Sequence, residues 1–206
     1  MPSETRCERL AAELHAMRAI QQDSSILDFH WTGTPPDQYT LTFYGRSIRR
    51  RADSPGELEF VQRHEVEIRL PARYPAQPPD IRWLTPILHP NISFSGLVSL
   101  SDIGLGWDPD LGLDLICERL WDVARYQFIN STRIHNPAAF ELVVRPRHIR
   151  LPTDARPLRG VSPERCPPRV ANPLAFADAP MDAAIRFTSP LRHHLPRRRL
   201  YYIGPT

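Results

Sequence analysis

His89-Pro90-Asn91-Ile92-Ser93-Phe94-Ser95-Gly96-Leu97-Val98-Ser99-Leu100, continuing through Asp102 to Trp107-Asp108-Pro109, is the stretch on which the reading of this chain turns. It lies between two patterned segments. Ile81-Arg82-Trp83-Leu84 before it reads as a short strand, and Leu113 to Trp121 after it is an apolar-periodic helix. Asp108 is a plausible cap for that helix ahead of Pro109.

Toward the N-terminus the pattern is helix, then strands. Ser3 can cap a helix whose apolar positions Leu10, Leu14, Met17 and Ile20 recur at spacings of three and four. Arg6, Arg9, Glu13 and Arg18 lie off that stripe. Ile26 to Trp31 is strand-like and ends at Gly33-Thr34-Pro35-Pro36. Tyr39 to Tyr44 and His64 to Leu70 alternate with period two, as half-buried strands do. Between them, Arg49 to Gly56 reads as a charged loop. Tyr74-Pro75-Ala76-Gln77-Pro78-Pro79 joins the third strand to the fourth. An N-terminal helix followed by a four-stranded antiparallel meander gives an α+β domain.

Charge and proline divide the 206 residues near position 140. Residues 1–140 carry 14 Arg against 18 acidic residues, a net of −4, and residues 141–206 carry 12 Arg against 5, a net of +7. Eleven of the 23 prolines fall in that second part, too many for long helices or strand ladders. The expectation is a folded domain over 1–140 and a Pro/Arg-rich basic extension over 141–206. No apolar run approaches the ~18 residues that would span a bilayer. The N-terminal residues lead into a charged amphipathic stretch rather than a signal-peptide core, so a cytoplasmic protein is expected. Three scattered cysteines (Cys7, Cys117, Cys166) make neither a disulfide framework nor a metal site. No metal and no cofactor is expected. Lysine is absent, so all 26 basic residues are arginine.

The ordered set Tyr74-Pro75-x-x-Pro78-Pro79, His89-Pro90-Asn91, position 99 and Trp107-x-Pro109 resembles the ubiquitin-conjugating enzyme family, over roughly residues 3–140. The resemblance implies that family's fold: the helix, the meander, an active-site loop and a C-terminal helix behind it. It implies an acyl transferase that takes the C-terminus of a ubiquitin-like protein as a thioester from an activating enzyme and passes it to an amine on an acceptor protein. The family's nucleophilic cysteine falls on Ser99, with no gap from His89 or to Trp107. A serine hydroxyl is essentially un-ionised without a base, and its ester is a poorer acyl donor than a thioester. The chain is thus read as a conjugating enzyme whose nucleophile position holds serine, a disabled or trapping form. The alternative is a natural non-catalytic variant that binds a ubiquitin-like protein or the activating enzyme.

By the same resemblance Asn91 lies near the nucleophile, as a donor to the oxyanion or as a brace of the loop. His89, Pro90 and Trp107 belong to the loop architecture. Many members carry an acidic or Ser residue just after an Asn-Pro that follows the long helix. Here Asn136-Pro137 leads to Ala138 and Ala139, with no carboxylate. Asp102 and Asp108 could substitute, against the plainer reading of loop-solvated carboxylates. An activating enzyme would contact the first helix, where Arg6, Arg9 and Arg18 are candidates. The missing lysine and short, divergent helical C-terminus look bacterial. Nucleic-acid binding through Arg197-Arg198-Arg199 and Tyr201-Tyr202 has charge and stacking rings in its favour but no nucleic-acid fold.

Overall fold

The computed structural model describes residues 5–54, 56–145 and 149–160. Ser3, Cys166 and the 197–202 stretch lie outside the described residues. The element order is α1 (Arg6–Gln22), β1 (Leu27–Gly33), β2 (Pro36–Arg50), β3 (Leu58–Arg69), β4 (Asp80–Trp83), β5 (Leu97–Val98), α2 (Leu113–Ala124) and α3 (Pro137–Val144). The strands form one antiparallel sheet in the order β1-β2-β3-β4-β5.

The α+β architecture matches the expected meander, with a fifth strand of two residues and a further short helix added. Inward residues Tyr39, Leu41, Phe43, Val66, Ile68, Ile81 and Trp83 alternate with outward polar ones. They meet Leu10, Met17 and Ile20 of α1 and Ile116, Leu120 and Trp121 of α2 in one core. Phe43 and Trp121 stack there at 5.9 Å. A second cluster of Ile48, Leu58, Leu88, Tyr126, Ala139 and Ile149 fastens the far end of β2 to the segments around α3.

Four local expectations need correction. The cap of α1 is Thr5, whose hydroxyl accepts from the Glu8 N–H at 3.3 Å while Glu8 Oε2 accepts from the Thr5 N–H at 2.8 Å. Glu13 is buried, not on the outer face, because three partners satisfy it. It accepts from Tyr74 Oη at 2.5 Å and the Leu113 N–H at 2.8 Å, and pairs with Arg9 at 2.9 Å. The cap of α2 is Gly112, four residues beyond the expected Asp108. Asp108 instead accepts from the Asp110 N–H, closing a turn after Trp107. Arg49 and Arg50 belong to β2, not to a loop.

Beyond α3, residues 149–160 lie back across the domain. A bulge after Tyr44 interrupts the β2–β3 ladder and frees its backbone groups. Arg156 donates to the Tyr44 carbonyl at 3.1 Å, and Asp154 accepts from the Arg46 N–H at 3.3 Å. Trp121 Nε1 donates to the Arg156 carbonyl at 2.8 Å, and Leu158 joins the main core. Arg159 pairs with Asp114 and Glu118 of α2. Among the described residues no helix is long and apolar enough to cross a membrane, and no group of metal-ligating side chains occurs.

Candidate active site

Three segments meet beyond β4 and β5: the His89-Pro90-Asn91 turn, the turn from Ser99 to Gly104, and the loop between α2 and α3. Each runs outside helix and strand, so its backbone groups need partners from the other two.

His89 is fully buried, with its ring 4.8 Å from that of Tyr126. Its Nδ1 accepts from the Asn91 N–H at 3.1 Å, which places the ring proton on Nε2. Burial drives its pKa down to about 3 against a weak opposing effect of the Phe128 backbone. His89 is therefore neutral near pH 7, and its accepting nitrogen is already engaged. It braces the turn and cannot serve Ser99 as a base.

The Pro90 carbonyl accepts from the N–H groups of His135 at 2.8 Å and Asn136 at 3.1 Å. Asn136 in turn caps α3 by accepting from the Ala139 N–H, with Pro137 opening the helix. Asn91 is fully buried. Its Nδ2 donates to the carbonyls of Asn130 at 2.7 Å and Arg133 at 2.6 Å, and its Oδ1 accepts from the Asn130 N–H at 2.8 Å. Both amide hydrogens are thereby committed to the loop. Donation to an oxyanion would require one of those carbonyl bonds to open.

Gly96 sets up the approach to position 99. Its φ is +78° and its carbonyl accepts from the Trp83 N–H at 2.7 Å. A Cβ there would be driven into the Trp83 carbonyl oxygen. β5 follows, and Ser99 emerges exposed just past it. The Ser99 hydroxyl accepts from the Asp102 N–H at 3.3 Å, and Asp102 Oδ2 accepts from the Ser99 N–H at 3.1 Å. The reciprocal pair holds the turn as a capping box holds a helix start. Ser99 Oγ also shares a hydrogen bond of 2.9 Å with Ser101 Oγ. Among the described residues no basic side chain hydrogen-bonds to Ser99 Oγ.

Asp102 is not a solvated loop carboxylate. It is 5% exposed, and its Oδ1 lies 3.0 Å from His135 Nε2. Burial alone would raise its pKa, but the bonds from His135 and Ser99 outweigh it and hold the pKa below the usual value. Asn130 Nδ2 ties the Ser101 carbonyl to the same loop at 3.0 Å. Trp107 lies behind, its ring 5.7 Å from Tyr74 and packed on the core. The structure thus brings Ser99, Asp102, Asn91, His89 and Pro90 into one bonded set. Sequence reasoning missed two members, Asn130 and His135. Neither has a one-dimensional signal, since their partners, Pro90, Asn91, Ser101 and Asp102, lie far upstream in sequence.

The basic residues of α1 differ among themselves. Arg6 reaches the Leu70 and Pro71 carbonyls at 3.3 and 3.4 Å, and its side chain stays 33% exposed. Arg18 stacks over the partly exposed Trp31 at 5.1 Å. Arg9 is turned inward, a correction to its expected place on an open basic face. It donates to the Leu111 carbonyl, pairs with Glu13 and is 13% exposed. Cys7 is exposed in the first turn of α1. Cys117 is fully buried, and that burial pushes its thiol well up.

Residues 61–146 match the model of the ubiquitin-conjugating enzyme family. The chain is 44% identical over 112 residues to ubiquitin-conjugating enzyme E2 T of Mus musculus, covering 52% of this chain and 50% of the relative. It is 43% identical over 112 residues to the Homo sapiens protein of that name, covering 52% of each. It is 32% identical over 87 residues to ubiquitin-conjugating enzyme E2 pex4 of Dictyostelium discoideum, covering 42% of this chain and 56% of the relative. The chain thus spans about half the length of the relatives it matches. On the helix, the antiparallel meander, the helices that follow and these matches, this chain carries a domain of the ubiquitin-conjugating enzyme fold.

Proposed function

We propose that this chain is a conjugating enzyme for ubiquitin or a ubiquitin-like protein and that residue 99 is its acyl-bearing position. The observation that carries the reading is the placement of Ser99. It is exposed at the end of β5, in a turn bonded through Asp102 and Ser101 to the loop that Asn91 braces. An acyl group on residue 99 would project into solvent, open to an incoming amine, while the turn beneath it stays fixed.

Serine at this position gives an oxyester, which is slower to form and to discharge than a thioester. The chain as it stands is then a trapping or disabled form of the transferase. Asn91 serves first as the brace of the 130–133 loop and becomes an oxyanion donor when one of its carbonyl bonds opens. His89 and Pro90 hold the turn, and Trp107 backs it. The activating enzyme docks on α1, where Arg6 and Arg18 supply positive charge, while Arg9, turned inward, ties the helix to Glu13 and the Leu111 carbonyl. The acceptor is a protein amine. A cytoplasmic setting fits this chemistry. A bacterial source rests only on the absence of lysine and the short helical C-terminus. The basic extension over 141–206 begins within α3, and its 149–160 part packs on the domain through Leu158 and the Arg156 and Arg159 contacts.

The test is Ser99→Cys with ubiquitin, a ubiquitin-activating enzyme and ATP. An adduct that requires ATP and is removed by thiol reductant is expected. If Ser99→Cys binds the activating enzyme or ubiquitin but forms no adduct, the chain is a binding module instead.

A further inference from the structure

The two oxygens of Asp102 hold different segments. Oδ2 accepts from the Ser99 N–H at 3.1 Å, and Oδ1 lies 3.0 Å from His135 Nε2. The carboxylate side chain is 8% exposed, whereas the imidazole is 39% exposed. The His135 backbone is fixed as well, by donation to the Pro90 carbonyl. A neutral imidazole that donates from Nε2 keeps an acceptor lone pair on Nδ1. Among the described residues nothing hydrogen-bonds to that nitrogen. His135 therefore has what His89 lacks: solvent access, an unengaged acceptor nitrogen and a buried carboxylate that fixes its tautomer. This orienting carboxylate–imidazole pairing is the arrangement in which an imidazole serves as a proton acceptor. It also stands directly before Asn136-Pro137, where no carboxylate follows in the first turn of α3.

We propose that His135, oriented by Asp102, takes the proton from the acceptor nucleophile as the acyl group leaves residue 99. The proposal rests on the reading of residue 99 as the acyl-bearing position. In the step, the neutral amine attacks the acyl carbon and the new C–N bond forms. The nitrogen gives a proton to His135 Nδ1. The bond from the acyl carbon to the residue-99 heteroatom breaks, and the imidazolium returns the proton to that atom. The products are an amide and a free hydroxyl, or a free thiol in Ser99→Cys. No other reactant is needed. A serine leaving group benefits more from that returned proton than a thiolate does, because an alkoxide is the poorer leaving group.

The test separates proton transfer from loop bracing. Ser99→Cys is charged with ubiquitin by a ubiquitin-activating enzyme and ATP, and the adduct is then discharged with free lysine or with hydroxylamine. Hydroxylamine attacks thioesters without a protein base. Adding His135→Gln, which keeps a donor for Asp102, is expected to slow lysine discharge about a hundredfold. Hydroxylamine discharge should change by less than about threefold, well below that range. His135→Gly should recover lysine discharge when imidazole is added. Equal losses with both nucleophiles, or no loss with lysine, would show that His135 only braces the loop and would overturn the proposal. No ubiquitin adduct on Ser99→Cys at all would overturn the reading of residue 99, and this proposal with it.

Discussion

Asn91 and Asn130 hold each other through reciprocal hydrogen bonds, Asn91 Nδ2 to the Asn130 carbonyl at 2.7 Å and the Asn130 N–H to Asn91 Oδ1 at 2.8 Å. With the 2.6 Å bond to the Arg133 carbonyl, one buried amide supports the whole start of the loop beside Ser99. Asn91→Ala removes three bonds and leaves backbone groups of the half-buried Asn130 and the exposed Arg133 without that partner, at a cost of about 1–3 kcal/mol. Denaturant unfolding measures that loss. Hydrogen exchange should show the Asn130 N–H losing protection first. A change below about 0.5 kcal/mol, a typical surface effect, would mean the loop is held by other contacts.

Gly96 is required by its backbone. At φ +78° an alanine is strained by about 1–3 kcal/mol, and its Cβ also meets the Trp83 carbonyl. Gly96→Ala should lower the unfolding midpoint and weaken the β4–β5 pairing that positions Ser99. Wild-type stability in this variant would contradict the geometry.

Glu13 ties α1 to the Tyr74 turn and to the start of α2. Removing one partner of a buried ion pair leaves the other charge uncompensated, so Glu13→Ala should cost about 3–5 kcal/mol. Glu13→Gln keeps acceptor capacity and should lose less. Thermal melts of the two variants give the comparison: a smaller loss in Glu13→Gln assigns the difference to the bonds from Tyr74 and Leu113, whereas equal losses would place the whole effect in the Arg9 pairing.

Two histidines make the fold acid-sensitive. Burial lowers the pKa of His64 to about 4 and that of His89 to about 3. In the unfolded chain each titrates near 6.5. Both folded values are depressed, so the unfolded state binds more protons between pH 4 and 6.5. Their contribution is fully present above pH 6.5 and is lost as pH falls through that window. Each histidine adds a slope of up to about 1.4 kcal/mol per pH unit. Urea unfolding at pH 7, 6, 5 and 4.5 should show stability falling with pH, and His64→Gln should flatten the curve. A flat profile in the wild-type chain would place these rings in contact with water.

The helix stripe and the meander were legible because their periods repeat over many residues. Leu10, Met17 and Ile20 face the core as their spacing requires. β5 was not, because two residues carry no period. Glu13 reads as a surface carboxylate until Tyr74 and Leu113, 61 and 100 residues away, are brought to it. Asp102 was legible as a loop residue but not as a buried one, since its burial depends on His135. The break after Tyr44 hid the continuation of β2, because a bulge interrupts alternation without ending the strand. Asp108 suits a cap by residue type, yet Leu113 is where the apolar face of α2 first meets the core.

The central claim is that residue 99 carries the acyl group. Peptide mapping by tandem mass spectrometry, applied to the ATP-dependent ubiquitin adduct of Ser99→Cys, tests it most directly. The account predicts a thioester at position 99 and none at Cys7, Cys117 or Cys166. An adduct mapped to Cys7, or the complete absence of an ATP-dependent thioester, would contradict it.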